Sequence, residues 1–165
     1  MKTHRVTHGS TLFLRLAAGV IGLSVLALCV LLLPVIWVDA YTEFPRTGYA
    51  VRAVVAAMYL TAIPFYIGIY EGWRLLSLIN KGRAFSQSAV TMLRTIAYCA
   101  GIISAIYLLM LPFFYLWQDE VDAPGLLVIG LFLCGMPLIV SVAMGLLGHL
   151  LAEATKIKSE NELTV

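Results

Sequence analysis

His149 and Glu153 come nearest, in type and spacing, to a catalytic pair in this chain. They lie four residues apart in a helical stretch and share one helix face, as a general base and its orienting carboxylate would. No nucleophile, metal-ligand pair or HExxH-like spacing accompanies them. We therefore expect that the protein is not an enzyme and holds no metal or other cofactor.

The three cysteines fall in three different apolar stretches, at Cys29, Cys99 and Cys134. Single buried thiols usually behave as small core hydrophobes. A four-span disulfide-generating oxidoreductase would need paired cysteines, typically in a CxxC motif, and the sequence contains no such pair. The cysteine pattern therefore excludes that class of enzyme.

The histidine, carboxylate and cysteine side chains above would be positioned by four stretches of the chain that contain no Asp, Glu, Lys or Arg. They cover residues 16–38, 53–70, 95–118 and 123–152 of a 165-residue chain that is 61% hydrophobic and 12% charged. A helix needs roughly 20 apolar residues to cross a hydrocarbon core of about 30 Å. We predict an all-α, single-domain integral membrane bundle of four transmembrane helices, with spans at about residues 12–38, 52–80, 88–117 and 124–152.

The middle of each predicted span is free of ionisable side chains. A small proton-coupled exporter would need a carboxylate there, and a haem-binding four-helix protein would need facing histidines. Neither pattern is present in the sequence. Polar groups with a functional role are therefore expected at the ends of the spans.

Lys and Arg are distributed unequally between the two sides of the predicted bundle. Only Arg46 and Arg52 lie on one side, whereas the other carries nine: Lys2, Arg5, Arg15, Arg74, Lys81, Arg83, Arg94, Lys156 and Lys158. The positive-inside rule then places both termini in the cytoplasm. The net charge of +2 reflects this asymmetry, so we expect no direct nucleic-acid binding.

Charged residues near the inner ends of the spans could pair with one another. Glu71 and Arg74 share a face of the second span, and Glu153 lies at the end of the fourth. We predict a structural ion-pair cluster that joins spans two, three and four through Glu71, Arg74, Arg94 and Glu153.

The segment "INKGRAFSQSAVTMLR", residues 79–94, interrupts the apolar pattern between spans two and three. Gly82 is suited to the left-handed cap after a helix, and Ser86 to an N-cap that lacks the Glu or Gln of a full capping box. We predict a cytoplasmic αα-hairpin with Phe85 tucked back beneath it.

Because Gly82 and Ser86 serve to end one helix and begin the next, only a few residues of the same segment remain as candidates for contact with a protein partner. The candidate partner-contact residues are Lys81, Arg83, Phe85 and Arg94. The tail from Lys156 to Val165 is a second candidate, either lying in a partner groove or frayed.

The stretch "LLSLINKGRAFSQSAVTMLRTIAYC", the acidic "DEVDAPG" and the ending "KSENELTV" resemble the bacterial four-span membrane proteins of the domain-of-unknown-function 2975 family. The chain departs from related turns at Gln87 and Ser88, where they often carry acidic residues. The resemblance implies a bacterial inner membrane location and genes that often lie beside small Cro/CI-like helix-turn-helix regulators. It implies no established activity.

We therefore predict a non-enzymatic membrane protein, regulatory or sensory through a cytoplasmic protein partner such as a helix-turn-helix regulator. One alternative is a small transporter or channel that moves an apolar or cationic compound past kinks at Pro64 and Pro137. This transport alternative would be favoured by a water-accessible central cavity into which four hydroxyl side chains point, those of Tyr59, Thr61, Tyr66 and Ser104. Another is an accessory subunit of a membrane complex, which would leave a stripe of small residues facing lipid. The sequence leaves homo-oligomerisation open.

Overall fold

The structure, a computed structural model, describes residues 8–83 and 85–162, and the side chains of residues 13–83 and 85–157. This part of the chain forms the helices α1 (His8–Ala27), α2 (Leu33–Glu43), α3 (Gly48–Asn80), α4 (Gln87–Val121) and α5 (Gly125–Glu162). A π-helical segment, Leu28–Leu32, joins α1 to α2.

Four helical stretches of the described chain are long and apolar enough to cross a membrane: Phe13–Glu43, Gly48–Asn80, Gln87–Val121 and Gly125–Ile157. The first of them, which we call the first span, contains most of α1, the π-helical segment and α2. The predicted all-α membrane bundle is thereby confirmed. Helix α5, which forms the fourth span, runs to Glu162, ten residues past the predicted span end at residue 152. Most of the predicted tail is therefore helical, and residues 163–165 lie outside the described part.

The helices pack in chain order: the first span on α3, α3 on α4, and α4 on α5. Two reciprocal hydrogen bonds join α4 and α5. Ser104 Oγ donates to the Cys134 carbonyl at 2.9 Å, and Ser141 Oγ donates to the Ala97 carbonyl at 2.8 Å. A Cβ on Gly101 would lie 3.2 Å from Ser141 Oγ, so this glycine permits the close approach.

Small residues recur at four-residue spacing in each span, and these stripes mostly face helices of the same chain. They consist of Ala18 and Gly22, of Ala53, Ala57 and Thr61, of Ala97, Gly101 and Ala105, and of Ser141 and Gly145. Ala57 and Thr61 are buried in α3, and a Cβ on Gly22 of the first span would meet Ile69 at 3.5 Å. Ala105 of α4 and Gly145 of α5 are exceptions in these stripes, because Ala105 is exposed and a Cβ on Gly145 would meet nothing within 4 Å. The lipid-facing stripe expected of an accessory subunit is therefore reduced to isolated positions on different helices of the described chain.

A row of side chains at seven-residue spacing on α3 holds the first span. Arg52, Tyr59 and Tyr66 each donate a hydrogen bond to a backbone carbonyl of that span, and Trp73 continues the row against Gly19. The accepting carbonyls belong to Trp37, Cys29 and Gly22, with N···O or O···O distances of 3.1, 2.9 and 2.8 Å respectively. We call these four side chains the α3 row.

The carbonyls that accept from the α3 row are seven residues apart between Gly22 and Cys29 but eight apart between Cys29 and Trp37. All but the first residue of the π-helical segment lies within the longer interval. A π-helix closes each turn with one more residue than an α-helix does. The extra residue therefore keeps the first span in register with a row of constant spacing.

Pro34, together with the π-helical segment, explains the bond from Tyr59. The N–H of Leu33, which an α-helix would direct to the Cys29 carbonyl, bonds to the Leu28 carbonyl instead. The next possible donor along the helix is residue 34, and proline has no N–H. The Cys29 carbonyl is thus left without either donor, and the Tyr59 hydroxyl supplies the missing bond.

The last turn of α4 caps its two neighbours at the end of the bundle opposite the α3–α4 turn. The Glu120 carboxylate accepts from the N–H of Arg46 at 3.1 Å, and from the N–H at 2.9 Å and hydroxyl of Thr47, the N-cap of α3. Gln118 Oε1 accepts the N–H of Leu127 in the first turn of α5 at 3.3 Å. These contacts satisfy donors that a helix start leaves unpaired.

Candidate functional site

The α3–α4 turn, residues 81–86, has well-defined backbone geometry on its α3 side. Gly82 has φ +70° and donates its N–H to the Ile79 carbonyl at 3.0 Å, while Arg83 donates to the Leu78 carbonyl at 3.2 Å. This pair of bonds around a left-handed glycine is a Schellman motif. Only a residue without a Cβ adopts this φ without strain, which is why α3 ends here.

On the other side of the turn, Ser86 is the N-cap of α4. Its Oγ accepts the N–H of Ala89 at 3.3 Å, and its φ of −138° and ψ of 152° are extended. Ala89 and Val90 in the first turn are buried, which anchors the start of α4 to the bundle. The chain on both sides of the turn is therefore held by local bonds and packing. Ala84 lies outside the described residues.

The four candidate partner-contact residues are all exposed. The side chains of Lys81, Arg83 and Arg94 form no hydrogen bond or ion pair with other described residues, and Phe85 is 60% exposed. The prediction that Phe85 tucks back under the hairpin is wrong. The ring is exposed, and the residue that follows it, Ser86, has the extended backbone of an N-cap rather than a buried contact that would draw the ring inward.

The charged residues predicted to form an inter-helix cluster pair within single helices instead. Arg74 Nη1 lies 3.0 Å from Glu71 Oε1 on α3, and His149 Nε2 lies 3.6 Å from Glu153 Oε1 on α5. Arg94 joins neither pair in the described structure. Partners three or four residues apart on one helix are held close by the backbone, and so they meet at a lower entropic cost than partners on different helices.

The polar groups inside the spans are used in packing. The buried hydroxyls of Thr61 and Tyr107 lie 3.2 Å apart, and Thr61 also donates to the Met58 carbonyl. With Ser104, Tyr59 and Tyr66 bonded to carbonyls of neighbouring helices, each hydroxyl considered for a transport path has a structural partner. Hydrogen bonds of this kind stabilise helix pairs in lipid.

An apolar cleft of about 570 Å³ separates the first span from α5 and has α3 and α4 as its floor. A second cleft of about 340 Å³ adjoins it between α3, α4 and α5, and Phe65, Ile103, Met136 and Pro137 line both. Pro64 lines the second cleft as well. No charged residue lines either cleft, so their chemistry suits an apolar molecule.

Groups able to hold a metal are not assembled in the part of the chain that the structure describes. No three His, Cys, Asp or Glu side chains there come close enough to bind an ion, and Cys29, Cys99 and Cys134 are free thiols in separate helices. His149 and Glu153 lie on the exposed face of α5, outside the clefts described above.

Sequence reasoning missed the α3 row and the π-helical segment. The signal for the row was available, since Arg52, Tyr59, Tyr66 and Trp73 recur at intervals of seven, the repeat of a helix-packing face. Pro34 was also visible in the sequence as a signal for an irregular helix. Its effect could not be predicted, because it depends on which carbonyl is left unpaired and on which neighbouring side chain reaches that carbonyl.

Residues 35–165 match the model of a family described as a protein of unknown function, DUF2975. An uncharacterised membrane protein of Bacillus subtilis (strain 168), named YoaS, is 44% identical over 156 residues, which cover 94% of this chain and 98% of that protein. No solved structure matches the chain. With its four apolar helical stretches and a matched region of more than three quarters of its length, the chain belongs to the DUF2975 family of membrane proteins.

Proposed function

We propose that the protein is a non-enzymatic regulatory or sensory protein of the bacterial inner membrane that binds a cytoplasmic protein partner through its α3–α4 turn. Both termini and this turn would lie in the cytoplasm, as the distribution of Lys and Arg favours. The observation that carries the proposal is Phe85, which is 60% exposed beside basic residues whose side chains form no hydrogen bond or ion pair with other described residues.

An exposed aromatic ring flanked by basic side chains is suited to protein recognition. Aromatic residues and Arg are enriched in protein interfaces, where a few such anchors carry most of the binding energy. The Schellman motif at Gly82 and the N-cap at Ser86 hold both sides of the turn. A surface that is already ordered loses less entropy on binding.

A small helix-turn-helix regulator is the partner that we propose, on the basis of the gene neighbourhood that the family resemblance implies. Acidic residues on the regulator would face Lys81, Arg83 and Arg94, and an apolar pocket would receive Phe85. The last turns of α5, which continue to Glu162, would extend the same surface. Binding would keep the regulator at the membrane and away from DNA.

The test is co-purification of the regulator encoded alongside. We expect the wild-type protein to retain it, and the K81E/R83E/R94E variant with residues 156–165 deleted to lose it. R46E, at the opposite end of the bundle, is the matched control and should retain the partner. Because charge reversal can invert a membrane protein, a C-terminal reporter fusion must first show unchanged topology. Retention by the altered protein would contradict the proposed site.

A transporter of an apolar compound is a second candidate, favoured by the two adjoining clefts, of which Pro137 lines both and Pro64 lines the smaller. I103W would fill the space that the clefts share. It should abolish transport if the clefts form a path, and should leave regulator binding unchanged if the α3–α4 turn is the functional surface. The bonded hydroxyls of Thr61 and Ser104 make this candidate the weaker one.

A further inference from the structure

A groove of about 660 Å³ lies between α1 and α3, near the end of the bundle that carries the α3–α4 turn. Its walls are apolar along Gly19, Val20 and Leu23, and aromatic at Tyr70 and Trp73. Arg15 and Arg74 line the groove together with the hydroxyl-bearing Ser77. We call this site the α1–α3 groove.

The charge of the α1–α3 groove is positive even after the neighbouring acid is counted. Glu71 accepts two hydrogen bonds from Arg74, at 3.0 and 3.3 Å, and both come from Nη1. A guanidinium has five N–H donors, so others on Arg74 are available to a ligand. Arg15 makes no ion pair with the rest of the described chain. Two basic groups and one acidic group leave one net positive charge.

The position of the two arginines along the helices matches the boundary of a membrane. Arg15 immediately precedes the charge-free run of residues 16–38, and Trp73 adjoins Arg74 just after the run of residues 53–70. The guanidinium groups therefore lie at headgroup depth, while the apolar walls from Gly19 to Leu23 lie in the hydrocarbon. A ligand that fills the groove must have an anionic end and an apolar chain.

We propose that the α1–α3 groove binds an anionic phospholipid, with its phosphate on Arg15 and Arg74 and one acyl chain along α1. Arg groups form paired hydrogen bonds with phosphate, and basic pockets between transmembrane helices bind anionic headgroups on the cytoplasmic side. Three further clefts that the described residues form are lined without a charged side chain, so they lack this complementarity. The proposed topology places this site in the cytoplasmic leaflet, whereas the binding of the lipid itself depends only on the residues that line the groove.

Quenching of Trp73 by brominated lipids tests the proposal. The full chain carrying W37F and W117F, which leaves Trp73 as its tryptophan, is placed in phosphatidylcholine vesicles. These contain the same small fraction of brominated phosphatidylglycerol or brominated phosphatidylcholine. We expect the anionic lipid to be enriched at Trp73 about fivefold, the factor that corresponds to the attraction between one net basic charge and anionic lipid. Equal quenching by the two lipids would overturn the proposal.

Variants separate the groove from the general charge of the protein. R15Q/R74Q should remove the preference for phosphatidylglycerol, whereas the matched control R83Q/R94Q, with two exposed arginines outside the groove, should keep it. Loss in both variants, or in neither, would count against the groove. Displacement of the brominated lipid by millimolar inorganic phosphate alone would indicate a site for the free anion and would also overturn the proposal.

Native mass spectrometry covers the case in which W37F/W117F does not fold. The protein with all its tryptophans is released from micelles that contain equal amounts of the two lipids. We expect one retained phosphatidylglycerol per chain, and its loss in R15Q/R74Q. Retention of phosphatidylcholine in equal amount would contradict the proposed specificity.

Discussion

Replacing Tyr59 by Phe tests whether the π-helical segment depends on a bond from α3. The hydroxyl of Tyr59 donates to the Cys29 carbonyl at 2.9 Å. Leu33 donates elsewhere and Pro34 has no N–H, so Tyr59→Phe leaves that carbonyl without a donor. Cys29 lies near the middle of the apolar run of residues 16–38, where no water replaces the lost bond.

The matched control is Tyr66→Phe, which removes a bond of the same type from the same row. Its acceptor, the Gly22 carbonyl, lies inside α1, where the regular helix supplies an N–H from residue 26. Hydrogen bonds between transmembrane helices average about 0.6 kcal/mol, and an acceptor left unpaired costs about 1–3 kcal/mol. We expect the free energy of unfolding to fall by about 0.5 kcal/mol in Tyr66→Phe and by about 1.5 kcal/mol in Tyr59→Phe.

Reversible unfolding in mixed micelles, followed by helicity, measures both values. A double-mutant cycle with Pro34→Ala adds a second test. With Ala at position 34 the first span can return to α-helical geometry, and the Leu33 N–H can then reach the Cys29 carbonyl. Tyr59→Phe should cost less in that background. Equal costs for the two tyrosine variants, together with no coupling to Pro34→Ala, would refute the reasoning.

The remaining predictions concern the ends of the helices. Gly48→Ala would place a Cβ 2.7 Å from a Tyr41 ring atom and 2.8 Å from the Ala40 carbonyl oxygen, so it should destabilise the protein by about 1–3 kcal/mol. Gly125→Ala, which meets nothing within 4 Å, should change stability by less than about 0.5 kcal/mol in the same unfolding assay. Gly82→Ala should cost about 1 kcal/mol, because φ is +70° there; an unchanged midpoint would contradict that conformation. The hydroxyl of Thr47 and the backbone N–H groups of Thr47 and Arg46 lower the pKa of Glu120 by hydrogen bonding to its carboxylate. Glu120 lies beyond the charge-free run of residues 95–118. The stability that this carboxylate contributes is present above the pKa of the unfolded state and is lost as pH falls through the lower folded-state pKa. Glu120→Gln should therefore flatten the fall in unfolding midpoint below about pH 4.5, and an unaltered pH profile would contradict the cap.

The sequence was sufficient to predict the class of fold, because length and hydropathy alone decide which stretches can span a bilayer. Gly82 and Ser86 could be placed at the helix ends by local rules, since positive φ and N-capping depend on a few neighbouring residues. The partners of Tyr59 and Glu120 could not be placed that way. Their acceptors and donors lie 30 and 73 or more residues away, and only the packed helices bring them together.

The candidate site was less predictable because it depends on competition between contacts. For Glu71, the helical neighbour Arg74 outcompetes Arg94 of another helix. For Phe85, an aromatic side chain in a polar turn can pack inward or remain outside, and composition does not distinguish these outcomes. That the ring is exposed is a property of the folded chain.

Photo-crosslinking in living cells tests the proposed partner contact most directly. A benzophenone amino acid replaces Phe85, or Tyr115 as an exposed aromatic control on α4 outside the turn, in cells that express the helix-turn-helix regulator encoded alongside. We predict a covalent adduct with the regulator from position 85 and none from position 115. Absence of a protein adduct at position 85, or equal adducts at both positions, would contradict the proposal that the α3–α4 turn is the functional surface.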